Sequence, residues 1–232
     1  MTGVMQPHLA TEPPADLPRR PSALTTALVT VIALAVLAVV GAGGYVLGHR
    51  AASNGTPDAH SVDAGFAWDM SVHHLQAVTM AGYVRDHTTD GVVKELAYDI
   101  ETSQFNQVGQ MQGWLDDWGL PPQNPYPQMA WMSASGHPAT DPASGLMPGM
   151  ATQAQLGKLE TMTGTPMDVY FLQLMLHHHQ GGLPMAQWAA EHAQEYYVRN
   201  AAQKMATGQS AEIVLMEKLL RERGASPLPP PS

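Results

Sequence analysis

The sequence predicts an all-α protein: a four-helix bundle made of two repeated helix pairs and preceded by a single N-terminal transmembrane helix. Four long helical patterns, one long apolar run and an internal repeat lead to this interpretation. The composition agrees with it, since 44% of the 232 residues are hydrophobic but only 6% are aromatic. Ala, Leu, Met and Gln favour helices, whereas β-branched and aromatic residues favour strands.

One N-terminal segment is long and apolar enough to span a bilayer. Residues 1–22 are Pro-rich, carry Arg19 and Arg20 near their end, and are expected to form a disordered cytoplasmic tail. Residues 23–48 carry no charge and, at about 1.5 Å per residue, can cross a hydrocarbon core of roughly 30 Å. The flanking arginines favour a cytoplasmic N-terminus and a C-terminal domain outside the cell membrane, joined by a linker at 49–61. A cleaved signal peptide is the alternative, although the apolar run is long for one.

Charge and cysteine content exclude several functions. The formal net charge of -9 argues against nucleic acid as a partner, because phosphate binding needs clustered Lys and Arg. The chain has no Cys, which excludes disulfides, thiolate metal sites and a Cys nucleophile. Any soft metal ligand must therefore be one of the 15 Met, and any borderline ligand one of the 11 His.

The extracytoplasmic part, residues 62–223, reads as four long helices with a connection between the second and third. The long helical patterns cover residues 62–87, 90–117, 166–193 and 195–223. A Pro/Gly/Met-rich connection covers 119–151, and a short helix is predicted at 152–160. The Pro-rich end at 224–232 is expected to be a disordered tail.

An internal repeat relates the two halves of this domain at a constant offset of 105 residues. The motif Asp63-x-x-Phe66-x-x-x-Met70-x-x-His73-His74 recurs as Asp168-x-x-Phe171-x-x-x-Met175-x-x-His178-His179. The same offset relates Met80 to Met185, His87 to His192 and Met111 to Met216. Because the register holds through the repeats 62–118 and 167–223, the unit is a helix pair used twice, and two such pairs bury their apolar stripes as a four-helix bundle.

The motif places sulfur and nitrogen donors on one helix face. Residues three or four apart are neighbours on a helix, so Met70 can present its sulfur beside His73 or His74. The second repeat does the same with Met175. A further ligand from a facing helix is needed, and Met111 and Met216 are candidates. His and Met without Cys or clustered carboxylates favour copper, as Cu(I) through thioether or Cu(II) through imidazole.

Other metals fit the motif less well. Zinc more usually recruits Cys or carboxylate beside His. Di-iron bundles need a Glu three residues before the ligating His, where this chain has Met70 and Met175. Ferritin-type iron oxidation is therefore not expected.

The repeated motif resembles the DUF305 family of bacterial, mostly extracytoplasmic proteins. The resemblance rests on Asp-x-x-Phe, His-His and Met-Ala in both repeats and on Leu146-Met-Pro-Gly-Met150 between them, and it covers about 62–220. It implies a ferritin-like helical bundle and, from some members, copper binding or copper tolerance. The chain departs from the commoner pattern at Leu75-Gln76 and in having Pro184 within the third helix, where Pro can bend it.

These patterns lead to one preferred function and two alternatives. We expect a membrane-anchored, extracytoplasmic metal-binding protein, with copper as the favoured metal, acting in metal storage, buffering or resistance. The expected ligands are Met70, His73, His74, Met80, Met175, His178, His179 and Met185. Weaker candidates are His87, His192, Met111 and Met216. A structural or interaction module of the cell envelope is the first alternative, since Met is a common core residue. A metal-dependent enzyme is the second, although no catalytic motif supports it.

Overall fold

Helices account for all the regular secondary structure in the computed structural model, which describes residues 55–136, 139–141 and 144–231. The α-helices are α1 (Val62–His87), α2 (Gly91–Asp117), α3 (Gln153–Glu160), α4 (Gly164–His192) and α5 (Tyr196–Glu222). A short 3-10 helix, Ala130–Ser135, lies between α2 and α3. The predicted all-α class is confirmed.

No helix in the described ranges is long and apolar enough to cross a membrane. The predicted cytoplasmic tail at 1–22 and transmembrane helix at 23–48 lie outside those ranges, as does the linker up to residue 54.

Capping residues explain why α2 and α3 each begin one residue later than predicted. α2 begins one residue later than predicted because the carboxylate of Asp90 accepts hydrogen bonds from the main-chain N–H groups of Val92 and Val93. An N-cap residue satisfies the free N–H groups of the first turn and is not itself helical. Thr152 does the same for α3 through a capping box with Gln155.

The four long helices pack as two hairpins joined along one interface. α1 packs along α2, α4 packs along α5, and the hairpins meet where α1 contacts α4. We call this α1–α4 interface the seam. Asp63 at the start of α1 also joins the repeats, because its carboxylate accepts from the main-chain N–H groups of Gln194 and Glu195, both at 2.8 Å. α4 is one continuous helix although Pro184 lies inside it.

The connection between the hairpins packs against α1 and α4. The carboxylate of Asp69 in α1 accepts from the main-chain N–H of Met129 at 2.6 Å and from the Trp131 indole at 2.9 Å. Gly149, with φ of 82°, lies so close to α4 that a Cβ there would be 2.6 Å from the main-chain oxygen of His177. The connection therefore covers one side of the seam.

The C-terminal tail, for which the sequence predicts disorder, is non-helical but follows α4. The Gln173 amide donates to the main-chain oxygen of Ser226 at 2.7 Å, and the His177 Nδ1 donates to that of Pro229 at 2.9 Å. These hydrogen bonds give residues 224–231 a defined path along the helix.

Candidate metal centre

The first His of each repeated pair meets its counterpart at the centre of the seam. The rings of His73 and His178 lie 3.8 Å apart between centroids, with an interplanar angle of 39°. His178 Nε2 donates to the main-chain oxygen of His73 at 3.0 Å. His73 Nε2 donates to the main-chain oxygen of Pro148 in the connection at 3.2 Å. Both side chains are buried, so the repeat equivalence found in the sequence becomes a physical contact.

The second His of each pair points toward the outer helix of its own hairpin. His74 Nε2 donates to Oε1 of Gln107 on α2 at 2.7 Å. His179 Nε2 donates to Oε2 of Glu212 on α5 at 2.5 Å. Gln107 and Glu212 were missed by the sequence analysis, although the offset of 105 relates them too.

These four hydrogen bonds determine the tautomers of the histidines. A main-chain, amide or carboxylate oxygen only accepts, so Nε2 carries the proton in each neutral ring. Nδ1 is then an unprotonated lone pair. In His73, His74 and His179 this buried Nδ1 has no hydrogen-bond partner within the described part of the chain. Metal-bound histidines commonly have this arrangement, with one nitrogen free for the ion and the other N–H donated to an oxygen.

Burial keeps the seam histidines uncharged. Loss of hydration lowers the pKa of His73 to about 4, and the carbonyl of Pro148 only partly opposes the effect. Burial, reinforced by the neighbouring His73, lowers the pKa of His74 to about 3. Burial and the nearby imidazoles also hold the pKa of His178 well below 6.5. A neutral imidazole is the form that binds metals, so these rings need not lose a proton first.

The predicted Met ligands fall into two buried groups. Met70, Met111 and Met185 belong to one large buried apolar cluster, and Met80, Met175 and Met216 belong to the other; we call these two sets the first and the second Met cluster. Each cluster thus contains the Met that precedes the His pair in one repeat, Met70 or Met175, and the Met that follows the His pair in the other repeat, Met185 or Met80. Because Met70 precedes His73 whereas Met185 follows His178, this pairing requires α1 and α4 to run antiparallel. One Met cluster therefore lies on each side of the His73–His178 pair.

Gly182 leaves a small space beside His73. A Cβ at this position would lie 2.9 Å from Cε1 of His73 and 3.1 Å from Oε1 of Gln209. The Oε1 atom of Gln209, like the Nδ1 atom of His73, is buried without a hydrogen-bond partner in the described residues. Two unsatisfied polar atoms therefore border one cradle, and such atoms are costly unless a ligand or water reaches them.

Two of the weaker candidates lie elsewhere. His87 and His192 are exposed at the ends of α1 and α4, where each Nδ1 donates to a carbonyl of its own helix, at 2.7 Å and 3.0 Å respectively. The rings stack on Tyr83 and Trp188. Fourteen residues of helix, about 21 Å, separate His87 from His73. The structure therefore does not bring these two histidines to the seam.

The described residues contain no group of three or more His, Asp or Glu that could hold a metal ion by themselves. Met sulfur is the soft donor that the buried residues of these helices add to imidazole nitrogen. The buried donors fit an ion that accepts both nitrogen and thioether sulfur. Among the described residues, three histidines each have a free Nδ1 lone pair, and the helices that carry them also carry the Met of the two Met clusters.

A groove gives solvent access to the outer side of this centre. It has a volume of about 890 Å³ and lies between α2 and α5. Gln107 and Glu212 both line it, together with the exposed Asp99 and Lys204. Solvent thus reaches the hydrogen-bond partners of His74 and His179, while the two rings themselves stay buried.

Comparison with known proteins identifies the family. The family model described as Domain of unknown function (DUF305) matches residues 63–220. The chain belongs to the DUF305 family. The family resemblance seen in the sequence is confirmed, and the match covers both repeats and the connection. No curated protein matches the chain.

Three solved proteins share this DUF305 fold. A putative secreted DUF305 protein from Streptomyces coelicolor is 47% identical, with a TM-score of 0.68 over 74% of this chain and 99% of that one. A DUF305 fragment from Deinococcus radiodurans is 30% identical, with a TM-score of 0.57 over 69% and 96%. CopM has been solved in two forms. The Cu(I)-bound form is 21% identical, with a TM-score of 0.51 over 70% of this chain and 96% of CopM. The Cu(II)-bound form is 23% identical, with a TM-score of 0.55 over 70% of this chain and 97% of CopM.

Proposed function

We propose that this DUF305 protein is a membrane-anchored, extracytoplasmic copper-binding protein that stores, buffers or confers resistance to copper. The observation that carries the proposal is the set of buried Nδ1 lone pairs on His73, His74 and His179, which have no hydrogen-bond partner among the residues that the structure describes. Each belongs to a ring whose other nitrogen is already hydrogen-bonded to an oxygen. Burying a polar atom without a partner costs free energy, so a ligand that satisfies it is favoured.

Copper is the ion that these donors suit best. Thioether sulfur is a soft ligand that prefers Cu(I), and imidazole accepts both copper oxidation states. We define the first half-site as His74 with Met70 and Met111, and the second half-site as His179 with Met175 and Met216. In each, the Met and His of the inner helix are four residues apart and hence neighbours, and the third residue comes from the facing outer helix.

The relatives support the metal and the compartment. CopM has the same fold and is described in Cu(I)-bound and Cu(II)-bound forms. The Streptomyces coelicolor relative is described as a putative secreted protein. Anchoring at the membrane rests on the uncharged segment 23–48 of the sequence. We also propose that the helical bundle is of the ferritin-like type, as the family resemblance implies.

A structural module of the envelope is the alternative that one observation favours. The Nε2 atoms of all four histidines make hydrogen bonds, and two of these cross between the repeats or to the connection. Such bonds would hold the bundle together without any metal. In that case copper would leave the melting temperature unchanged, because only a ligand that binds the folded state raises stability.

A competition titration of the full-length chain in detergent tests the proposal. We expect Cu(I) to be taken from a chromophoric chelator by the wild-type chain, and uptake to be lost when His74 and His179 are both replaced by Asn. The matched control replaces the exposed pair His87 and His192 by Asn, which should leave uptake unchanged. Copper uptake that survives the first double substitution, or that is lost in the second, would contradict the assignment.

A further inference from the structure

The two half-sites differ at one position that touches a histidine. The offset of 105 residues makes Gln107 and Glu212 equivalent, and each accepts a hydrogen bond from Nε2 of the second His of its repeat. The first acceptor is a neutral amide and the second is a carboxylate. The remaining repeated donors are identical in the two halves, since Met70, His74 and Met111 correspond to Met175, His179 and Met216.

We infer that Glu212 makes the half-sites inequivalent, so that the second half-site binds copper more tightly and is the one that accepts Cu(II). This inference rests on the proposed function. It adds which half-site binds copper first and which oxidation state of copper that half-site accepts. Glu212 is a positioning residue, because it acts on the metal through His179.

A carboxylate acceptor changes the ligand in two ways that an amide does not. It draws the Nε2 proton more strongly, which makes the opposite nitrogen, Nδ1, a better donor to metal. It also places a negative charge behind the ring, and that charge favours an ion of charge +2 more than one of charge +1. Since the His179 side chain is fully buried, the effect is less screened by water than it would be at a surface.

The position of Glu212 lets solvent reach the carboxylate without reaching the ring. Its side chain is 25% exposed, whereas that of His179 is 0% exposed. Both Glu212 and Gln107 line the groove between α2 and α5. An ion entering the groove therefore meets an anionic group above the second half-site and a neutral group above the first.

Two isosteric exchanges test the inference. In Glu212→Gln, an amide accepts the Nε2 hydrogen bond in both half-sites. In Gln107→Glu, a carboxylate accepts it in both. In a Cu(II) competition titration of the full-length chain, we expect the wild type to fill in two unequal steps. Glu212→Gln should weaken the tighter step by about 10–100-fold, and Gln107→Glu should tighten the weaker step. Cu(I) binding should change less in both variants.

The control is Asp99→Asn, which removes a carboxylate from the same groove without touching a histidine. It should leave both steps unchanged, and melting of the metal-free variants reports whether each one folds. If the tighter step is unchanged in Glu212→Gln, or is weakened equally by Asp99→Asn, the inferred role of Glu212 is overturned while the proposed copper binding stands. A folded wild-type chain that takes up no copper in either oxidation state would overturn the proposed function instead.

Discussion

His178 donates a hydrogen bond to the main-chain oxygen of His73, the residue that occupies the same place in the other repeat. Their rings lie 3.8 Å apart. The first His of each motif copy thus meets its counterpart at the seam, whereas the second His of each copy turns to the outer helix of its own hairpin. The contact is not symmetric, since His73 donates to Pro148 of the connection and not to His178.

The buried histidines predict a loss of stability in acid. The pKa values of His73 and His74 are about 4 and about 3 in the folded chain, against 6.5 for an ordinary histidine, and that of His178 is also lowered. The unfolded state therefore takes up protons first, and the stability present above pH 6.5 is lost as pH falls toward 4. We expect about 1 kcal/mol per histidine per pH unit in that window, measured by urea denaturation of the metal-free chain.

A variant isolates this effect from general acid denaturation. His74→Gln removes one of the three titrating groups and should reduce the slope of unfolding free energy against pH between 6 and 4. Exposed His87 is the control, because His87→Gln should leave that slope unchanged. Equal slopes in wild type and His74→Gln would contradict the buried, neutral state of His74.

The hydrogen bonds predict one tautomer for the four histidines of the motif. Oxygen acceptors at Nε2 place the proton on that nitrogen in His73, His74, His178 and His179. Long-range ¹H–¹⁵N correlation spectra of the metal-free chain at pH 7 should show all four rings protonated at Nε2. Protonation at Nδ1 in His74 or His179 would remove the lone pair on which the proposed half-sites depend.

Gly182 should not tolerate a side chain. Its Cβ would lie 2.9 Å from the ring of His73 and 3.1 Å from Gln209, and both neighbours are buried. Gly182→Ala is expected to cost about 1–3 kcal/mol of unfolding free energy, as overpacking usually does. The control is Gly113→Ala on α2, where no atom lies within 4 Å, and there Ala should stabilise the helix by about 0.5–1 kcal/mol. Equal effects of the two substitutions would show that the cradle is not tightly packed.

Asp69 should hold the connection against α1. Its carboxylate is buried and accepts hydrogen bonds from Asn124, Trp131 and the main-chain N–H of Met129. Asp69→Ala leaves these donors unsatisfied and is expected to cost about 2–4 kcal/mol. Amide exchange in the 3-10 helix Ala130–Ser135 should accelerate more than exchange in α5. The exposed Asp86→Ala provides the comparison, and a similar small loss in both variants would contradict this role.

The sequence predicted the helices because their evidence is local. The period of apolar residues, together with Gly and Pro at the ends, is visible within each segment, and α1 was predicted with its observed bounds. The repeat made the pairing of helices predictable as well. The starts of α2 and α3 lie one residue later than predicted because Asp90 and Thr152 cap these helices and are not part of them.

The polar partners of the histidines could not be predicted in the same way. Gln107 and Glu212 are polar residues on long helices, and most such residues face solvent. Only the packing of α1 on α2 and of α4 on α5 turns them toward the rings. The main-chain oxygen of Pro148 has no signature in the sequence, and the contact of His73 with His178 depends on the register between two helices. The offset of 105 could have indicated Gln107 and Glu212 as a pair, but not their direction.

The structure of the copper-loaded chain tests the central claim most directly. Anomalous diffraction at the copper edge locates the ion, and the refined coordinates identify its ligand atoms. We expect copper bonded to Nδ1 of His74 or His179 and to Met sulfur, with the Nε2 bonds to Gln107 and Glu212 retained. Copper found only on exposed histidines such as His87, or bonded through Nε2 after those bonds have broken, would contradict the account.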